Sequence, residues 1–214
     1  MVLYPTGGTP PEDEIAKVTH VSNEEWHQEG LAIVIVGASG DLAKKKTFPS
    51  LLSLFAGSLL PRNFRIYGYA RSNMTDDALR DRIRPYLTTE KRMSEMAIHL
   101  ASPEEVVEDF LSRVFYQAGS GYGDLDSWHE LNAKITIFEE GGTNTEYDRG
   151  RDPWFSGFDK SNRLFYFAIP PNIFAETGAA IKAACMAPNG WSRMIVEKPF
   201  GRDLESCKEI LKSL

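Results

Sequence analysis

The chain has 214 residues, 42% of them hydrophobic and 25% charged, and a net charge of −6. That length suits one large domain, and the composition excludes a disordered or fibrous chain. The acidic balance argues against a general nucleic-acid binder, Cys185 and Cys207 are too few for a disulfide framework, and no apolar run is long enough to span a bilayer.

These features predict no nucleic-acid or membrane partner and a reducing, cytoplasmic location. The first residues carry no cationic stretch ahead of an apolar core and no Arg-rich amphipathic pattern, so neither a secretory signal nor a transit peptide is expected. Residues 1–29 are rich in Pro, Gly and acids, with Lys17 as their basic residue, and read as a flexible N-terminal arm. Residues 30–214 read as the folded domain.

Order is expected to begin at "LAIVIV" (31–36), a continuous apolar run of the kind buried on both faces of a parallel sheet. A glycine turn follows. Then "DLAKKKTFPSLLSLFAGS" reads as helix, with Leu42, Leu51, Leu52, Leu54 and Phe55 on its apolar face. Pro49 predicts a kink or a fresh start there, because proline lacks the amide hydrogen and its ring collides one turn back. "FRIYGYAR" (64–71) is the second predicted strand. "TDDALRDRIRPYL" is the next helix, with Thr75 as N-cap and acids in its first turn. "SPEEVVEDFLSRVF" begins with Ser102 as N-cap, Pro103 at the first helical position and Glu105 completing a capping box.

"RVFYQAG" turns into a third strand. Leu125, Trp128, Leu131, Ile135 and Phe138 recur at helical spacing, although "KITIF" alone would suit a strand. Residues 141–162 read as a long loop. "RLFYFAI" (163–169) is a strand stopped by Pro170-Pro171. Helix follows with Ile173, Thr177, Ala180, Ile181 and Ala184 on one face, then strand "RMIV" (193–196) and a helix from "RDLESC" onward. Strands alternating with helices predict a Rossmann-like, doubly wound α/β domain with a mostly parallel sheet and helices on both faces.

The first turn carries the chemistry. A strand, then Gly37-x-x-Gly40-x-x-Ala43, then a helix is the context of a dinucleotide-binding loop. Gly37 allows the tight turn, Gly40 leaves room for a phosphate at the helix N-terminus, and Ala43 lets the helix pack closely. A triphosphate-binding loop would need glycine directly before Lys-Thr, where this chain has Lys45 before Lys46-Thr47. The second strand ends in Arg71 rather than an acid. A carboxylate there would hold the ribose 2′-hydroxyl of NAD, whereas arginine can bind the 2′-phosphate of NADP, so NADP is the expected cofactor. Lys198 in "EKPFG" ends the last strand on the ligand-binding side of such a sheet, although from spacing alone a surface turn with Pro and Gly is the stronger reading.

"GASGDLAKKK", "GYAR", "RLFYFAIPP" and "IVEKPFGRDL", in this order, resemble the N-terminal coenzyme domain of the glucose-6-phosphate dehydrogenase family over about residues 31–214. The resemblance implies that Gly37, Ala38, Ser39, Gly40, Asp41, Leu42, Ala43 and Lys44 wrap the pyrophosphate and adenosine side of NADP, and that Arg71 holds the 2′-phosphate. It implies that Lys198 contacts both glucose 6-phosphate and the nicotinamide region, with a cis bond to Pro199. A family tyrosine after the double proline is Phe174 here, so its hydroxyl contact is lost. The family's catalytic histidine motif does not occur in residues 1–214, and His20, His27, His99 and His129 sit in other contexts. The resemblance therefore implies a coenzyme-binding half that oxidises glucose 6-phosphate negligibly by itself. It also implies a catalytic and dimerisation domain outside this chain, through which the full enzyme is a homo-oligomer, and exposed apolar surface where that domain packs. A non-catalytic NADP-binding sensor is the alternative. A sugar-nucleotide epimerase is disfavoured, because no tyrosine has lysine four residues later.

Overall fold

The computed structural model describes residues 29–141, 158–198 and 208. Most of the expected N-terminal arm, most of the 141–162 loop, the Lys198–Pro199 bond and nearly all of the C-terminal helix lie outside these residues.

Strand β1 (Gly30–Val36) is buried along its whole length. It pairs in parallel with β2 (Asn63–Ala70) on one side and β4 (Ser161–Phe167) on the other, Val34 standing opposite Tyr67 and Phe165. The outer strands are β3 (Val114–Ala118) beside β2 and β5 (Ser192–Val196) beside β4, so the order is β3-β2-β1-β4-β5 and every pairing is parallel. A central strand without a solvated face explains why β1 reads as an unbroken apolar run instead of an alternation.

Alternation reappears in which face each residue serves. Leu31, Ile33 and Ile35 pack with Phe64, Ile66, Leu79, Ile83 and Phe110 in one core. Ala32, Val34 and Val36 pack with Trp128, Leu131, Ile135, Phe165 and Ile181 in the other. The first core is covered by α1 (Phe48–Ala56), α2 (Asp76–Leu87) and α4 (Pro103–Ser112), and the second by α5 (Leu125–Glu139) and α6 (Phe174–Ala184). Burying each large aliphatic side chain contributes roughly 1.5–3 kcal/mol, so the two layers hold the sheet between them.

Several local expectations need correction. The lysine run is not α-helix but a π-helical turn, Ala43–Thr47, and α1 starts at Phe48 with Pro49 in its first turn. The expected fresh start at Pro49 is instead a change of helix type: Thr47 and Phe48 keep helical dihedrals, and the π turn comes just before the proline. Leu42 and Leu54 are 37% and 39% exposed rather than on the apolar face, and Phe48 and Pro49 are buried instead. The extra residue of the π turn shifts the helical phase, and Leu54 lies nearly opposite Leu52 on α1. Ser102 stands at the N-cap of α4, but its hydroxyl makes no cap bond, so Pro103 carries that start. Leu125 is 47% exposed. A further helix, α3 (Glu90–Ala97), was not among the expected elements; none of its residues is fully buried, and Met93 and Met96 are partly buried against the first core. Exposed apolar side chains include Ile98 and Leu59 on the helical side and Ile195 on the outer strand β5.

Candidate functional site: the carboxyl edge of the sheet

The chain passes from β3 at one edge across to β4, so the direction of winding reverses between β1 and β4. The helices that follow β1 and β4 lie on opposite faces of the sheet, and open α/β sheets take their ligands outside the carboxyl ends of the strands at such a reversal.

The loop after β1 is built for close approach. Gly37 has φ +89°, and a Cβ there would lie 2.5 Å from the Ala168 carbonyl oxygen, so only glycine fits. Its amide and that of Ala38 donate to the Tyr69 carbonyl at 2.7 and 3.3 Å, which draws the loop over the end of β2. Gly68 accommodates that approach, since a Cβ on it would lie 2.7 Å from the Ala38 Cβ. The Gly40 amide donates to the Gly37 carbonyl at 2.9 Å and closes the turn. The amides of Ser39, Asp41 and Leu42 have no backbone acceptor among the described residues. They form the open first turn of a helix, a setting that favours an anion. Ala43 is fully buried, as close helix packing requires.

Lysines surround this cradle. Lys44 and Lys45 reach back to Asp41 at 2.6 and 2.7 Å, and Lys46 is exposed. Hydrogen bonds from Lys44 and then Lys45, with their charges, hold the Asp41 carboxyl down at about 2. The Lys44 ammonium also lies 5.8 Å from the Tyr86 ring centre.

Arg71 is the first residue past β2 and is exposed. Its guanidinium lies over the Tyr122 ring at 5.6 Å. Tyr122 belongs to the turn after β3, whose backbone is fixed by two buried aromatics. Trp128 Nε1 donates to the Tyr122 carbonyl at 2.8 Å, and the Tyr69 hydroxyl donates to the Gly121 carbonyl at 2.7 Å. The Tyr69 and Trp128 rings stack at 4.2 Å. Burial pushes the Tyr69 phenol up to about 12, so it stays a protonated donor. Ser72 links the two loops, its hydroxyl donating to the Ser39 hydroxyl at 3.2 Å.

Lys198 leaves the end of β5 on the other side of the reversal and is exposed. The preceding Glu197 accepts a short hydrogen bond from the Tyr166 hydroxyl of β4, which ties the exit of β5 to its neighbour. Burial, reinforced by that bond, raises the Tyr166 phenol to about 12. Phe174 is 1% exposed and packs on Phe167, with ring centres 5.5 Å apart. It is a core residue, which explains how this position dispenses with a hydroxyl.

The fold therefore brings the Gly37–Lys44 loop and Arg71 together across Ser39 and Ser72, and sets Lys198 on the same edge two strands from β1. Tyr122 escaped the sequence reading because its turn, "SGYGD", carries no motif of its own. Among the described residues, no group of three His, Cys, Asp or Glu side chains is placed to hold a metal. No described helix is long and apolar enough to cross a membrane.

Residues 34–214 match the family model described as the NAD binding domain of glucose-6-phosphate dehydrogenase. A chloroplastic glucose-6-phosphate 1-dehydrogenase of Nicotiana tabacum is 40% identical over 205 residues, which are 96% of this chain and 30% of that protein. Its Dictyostelium discoideum counterpart is 41% identical over 184 residues, 86% of this chain and 32% of that protein. A cytoplasmic Arabidopsis thaliana form is 40% identical, with 84% and 32% covered. Among solved structures, a glucose-6-phosphate dehydrogenase in complex with its substrate glucose-6-phosphate superposes with a TM-score of 0.71 at 36% identity, covering 87% of this chain and 34% of that one. The chain thus spans about a third of the length of these relatives, which include both chloroplastic and cytoplasmic proteins.

Proposed function

The chain belongs to the glucose-6-phosphate dehydrogenase family, on its NAD binding domain, and from that membership we propose that residues 30–214 are the coenzyme-binding part of an enzyme that oxidises glucose 6-phosphate with NADP as hydride acceptor. The observation that carries the choice of NADP is Arg71. It stands at the carboxyl end of β2, where an NAD site would place an acid. The residues fit the group. Gly37 and Gly40 keep the cradle clear of side chains, and the amides of Ser39, Asp41 and Leu42 lack backbone acceptors for a pyrophosphate to replace.

In this reading Gly37 to Lys44 hold the pyrophosphate and adenosine side, and Lys44 neutralises it. Arg71 clamps the 2′-phosphate by charge-assisted hydrogen bonds while Tyr122 steadies its guanidinium. Lys198 supplies a positive charge near the nicotinamide end for glucose 6-phosphate. NADP, when bound, accepts the hydride. The general base for the sugar hydroxyl is not among the residues assigned here, so the chain by itself binds NADP and turns over glucose 6-phosphate negligibly. We place the protein in the cytoplasm and the whole enzyme among homo-oligomers.

Calorimetric titration of the chain with NADP⁺ and NAD⁺ tests the reading. NADP⁺ is expected to bind about tenfold or more tighter, and Arg71→Ala to bring it to the NAD⁺ level. Equal affinities in the wild type would refute NADP selectivity.

A further inference from the structure

We propose that Arg82 of α2 is a second cationic contact for the 2′-phosphate and shares with Arg71 the discrimination against an unphosphorylated ribose. The inference rests on the NADP reading above.

Arg82 lies in the middle of α2, where sequence alone makes it one more charge on a solvated face. The fold lays it, exposed, along the carboxyl edge. Its Nη2 donates to the Ser39 carbonyl at 3.1 Å, across 43 residues of chain. Ser39 also receives the Ser72 hydroxyl at 3.2 Å, and Ser72 directly follows Arg71. Helix α2, the glycine loop and the exit of β2 therefore meet at one residue, with a guanidinium on each flank. The Tyr116 hydroxyl, which donates to the Ser72 carbonyl at 2.6 Å, lies within the field of Arg82 as well.

The other arginines of α2 behave differently. Arg80 pairs with Asp77 at 2.9 Å, and Arg84 pairs with Glu108. Among the described residues, no ion pair to a carboxylate engages Arg82 or Arg71. The loop's own acid, Asp41, is held by Lys44 and Lys45. Arg71 and Arg82 thus both border the Ser39–Ser72 contact without a carboxylate partner among the described residues, in a chain of net charge −6. One bond to Ser39 uses one of the five N–H donors of Arg82 and leaves the rest for an anion. A phosphate monoester carries close to two negative charges at neutral pH, which one arginine cannot neutralise and two can.

The test compares adenosine 2′,5′-bisphosphate with adenosine 5′-monophosphate, which differ only in the 2′-phosphate. Both are titrated into the wild-type chain and into Arg71→Ala, Arg82→Ala and Arg82→Lys, each checked for folding by circular dichroism. The wild type is expected to prefer the bisphosphate. Arg82→Ala should cut bisphosphate affinity by about tenfold while leaving the monophosphate within twofold, and Arg82→Lys should fall between and keep the test open should the alanine variant misfold. Loss of the preference in Arg71→Ala but not in either Arg82 variant would overturn the role of Arg82 and leave the NADP reading standing. An equal loss for both ligands in Arg82→Ala would make Arg82 a support of the Ser39 loop and also overturn it. A wild type without preference would overturn both readings.

Discussion

At the scale of single residues, the site is organised by charges that restrain one another. Asp41 sits at the mouth of the cradle, where a bare carboxylate would repel a phosphate. Lys44 and Lys45 close on it, which both offsets its charge and aims two ammonium groups toward the loop. The same contacts hold its pKa at about 2, below the ordinary 3.8. A folded-state pKa that is depressed stabilises the native state above the unfolded value, and the contribution disappears as pH falls through the folded one. The clamp is therefore expected to be intact at pH 4 and above and lost around pH 2. Carbon-detected NMR titration of the Asp41 carboxyl should give a midpoint near 2. A midpoint at the ordinary carboxylate value would mean that the lysines do not hold it.

At the scale of elements, how a helix begins decides what its first turn can do. Thr75 caps α2 in full, its hydroxyl accepting from the Ala78 amide at 3.1 Å, with Asp76 and Asp77 in the first turn. Asp76 also accepts from the Tyr116 amide at 2.6 Å and so fixes α2 to β3. Ser102 occupies the same position on α4 without the bond. Thr75→Ala should lower stability by about 1 kcal/mol in urea denaturation, whereas Ser102→Ala should stay within about 0.5 kcal/mol. A similar loss in both would mean that the bond at Thr75 is not what anchors α2. The first turn after β1 is the opposite case. There the amides of Ser39, Asp41 and Leu42 have no backbone acceptor among the described residues, and no side chain caps them.

At the scale of the molecule, the half of the sheet beyond β1 is held by an ion pair removed from water. Arg163 of β4 is wholly buried and meets Glu139, at the end of α5, through two bonds of 2.8 and 2.6 Å. Its remaining donors reach Asn132 of α5 at 2.6 Å and the Cys185 carbonyl, just past α6, at 3.1 Å. One guanidinium so joins a central strand to both helices of the second layer. Burial works against its charge, and the Glu139 carboxylate more than offsets that, so its pKa is raised overall. The same burial pushes the Cys185 thiol up to about 11, which makes it a packing group rather than a nucleophile. Glu139→Ala should cost roughly 3–5 kcal/mol, because it strands a buried charge. Glu108→Ala, which breaks a solvent-exposed pair, should cost less than about 1 kcal/mol. Chemical denaturation of both variants would decide, and equal small losses would show that Arg163 finds other partners.

The sequence by itself determined the parallel α/β order, the glycine loop, Arg71 at the end of β2 and a disturbance of the helix near Pro49. Each is written in neighbouring residues: an apolar run too continuous for a half-exposed strand, a turn that tolerates no side chain, a ring without an amide hydrogen. Only the tertiary structure decided which distant residues meet. Arg82 and Ser39 are 43 residues apart, and Arg163 and Glu139 are 24. In sequence Arg82 is a charge on an amphipathic helix, and Arg163 is an anomaly in an apolar strand. Helix α3 shows the same limit from the other side, since Met93 and Met96, partly buried on the first core, are too short an apolar pattern to stand out in sequence. Local patterns encode period and turn, which depend on a few adjacent dihedrals. Partners across the fold depend on how the layers pack, and there a charged side chain is placed by the one group it can reach.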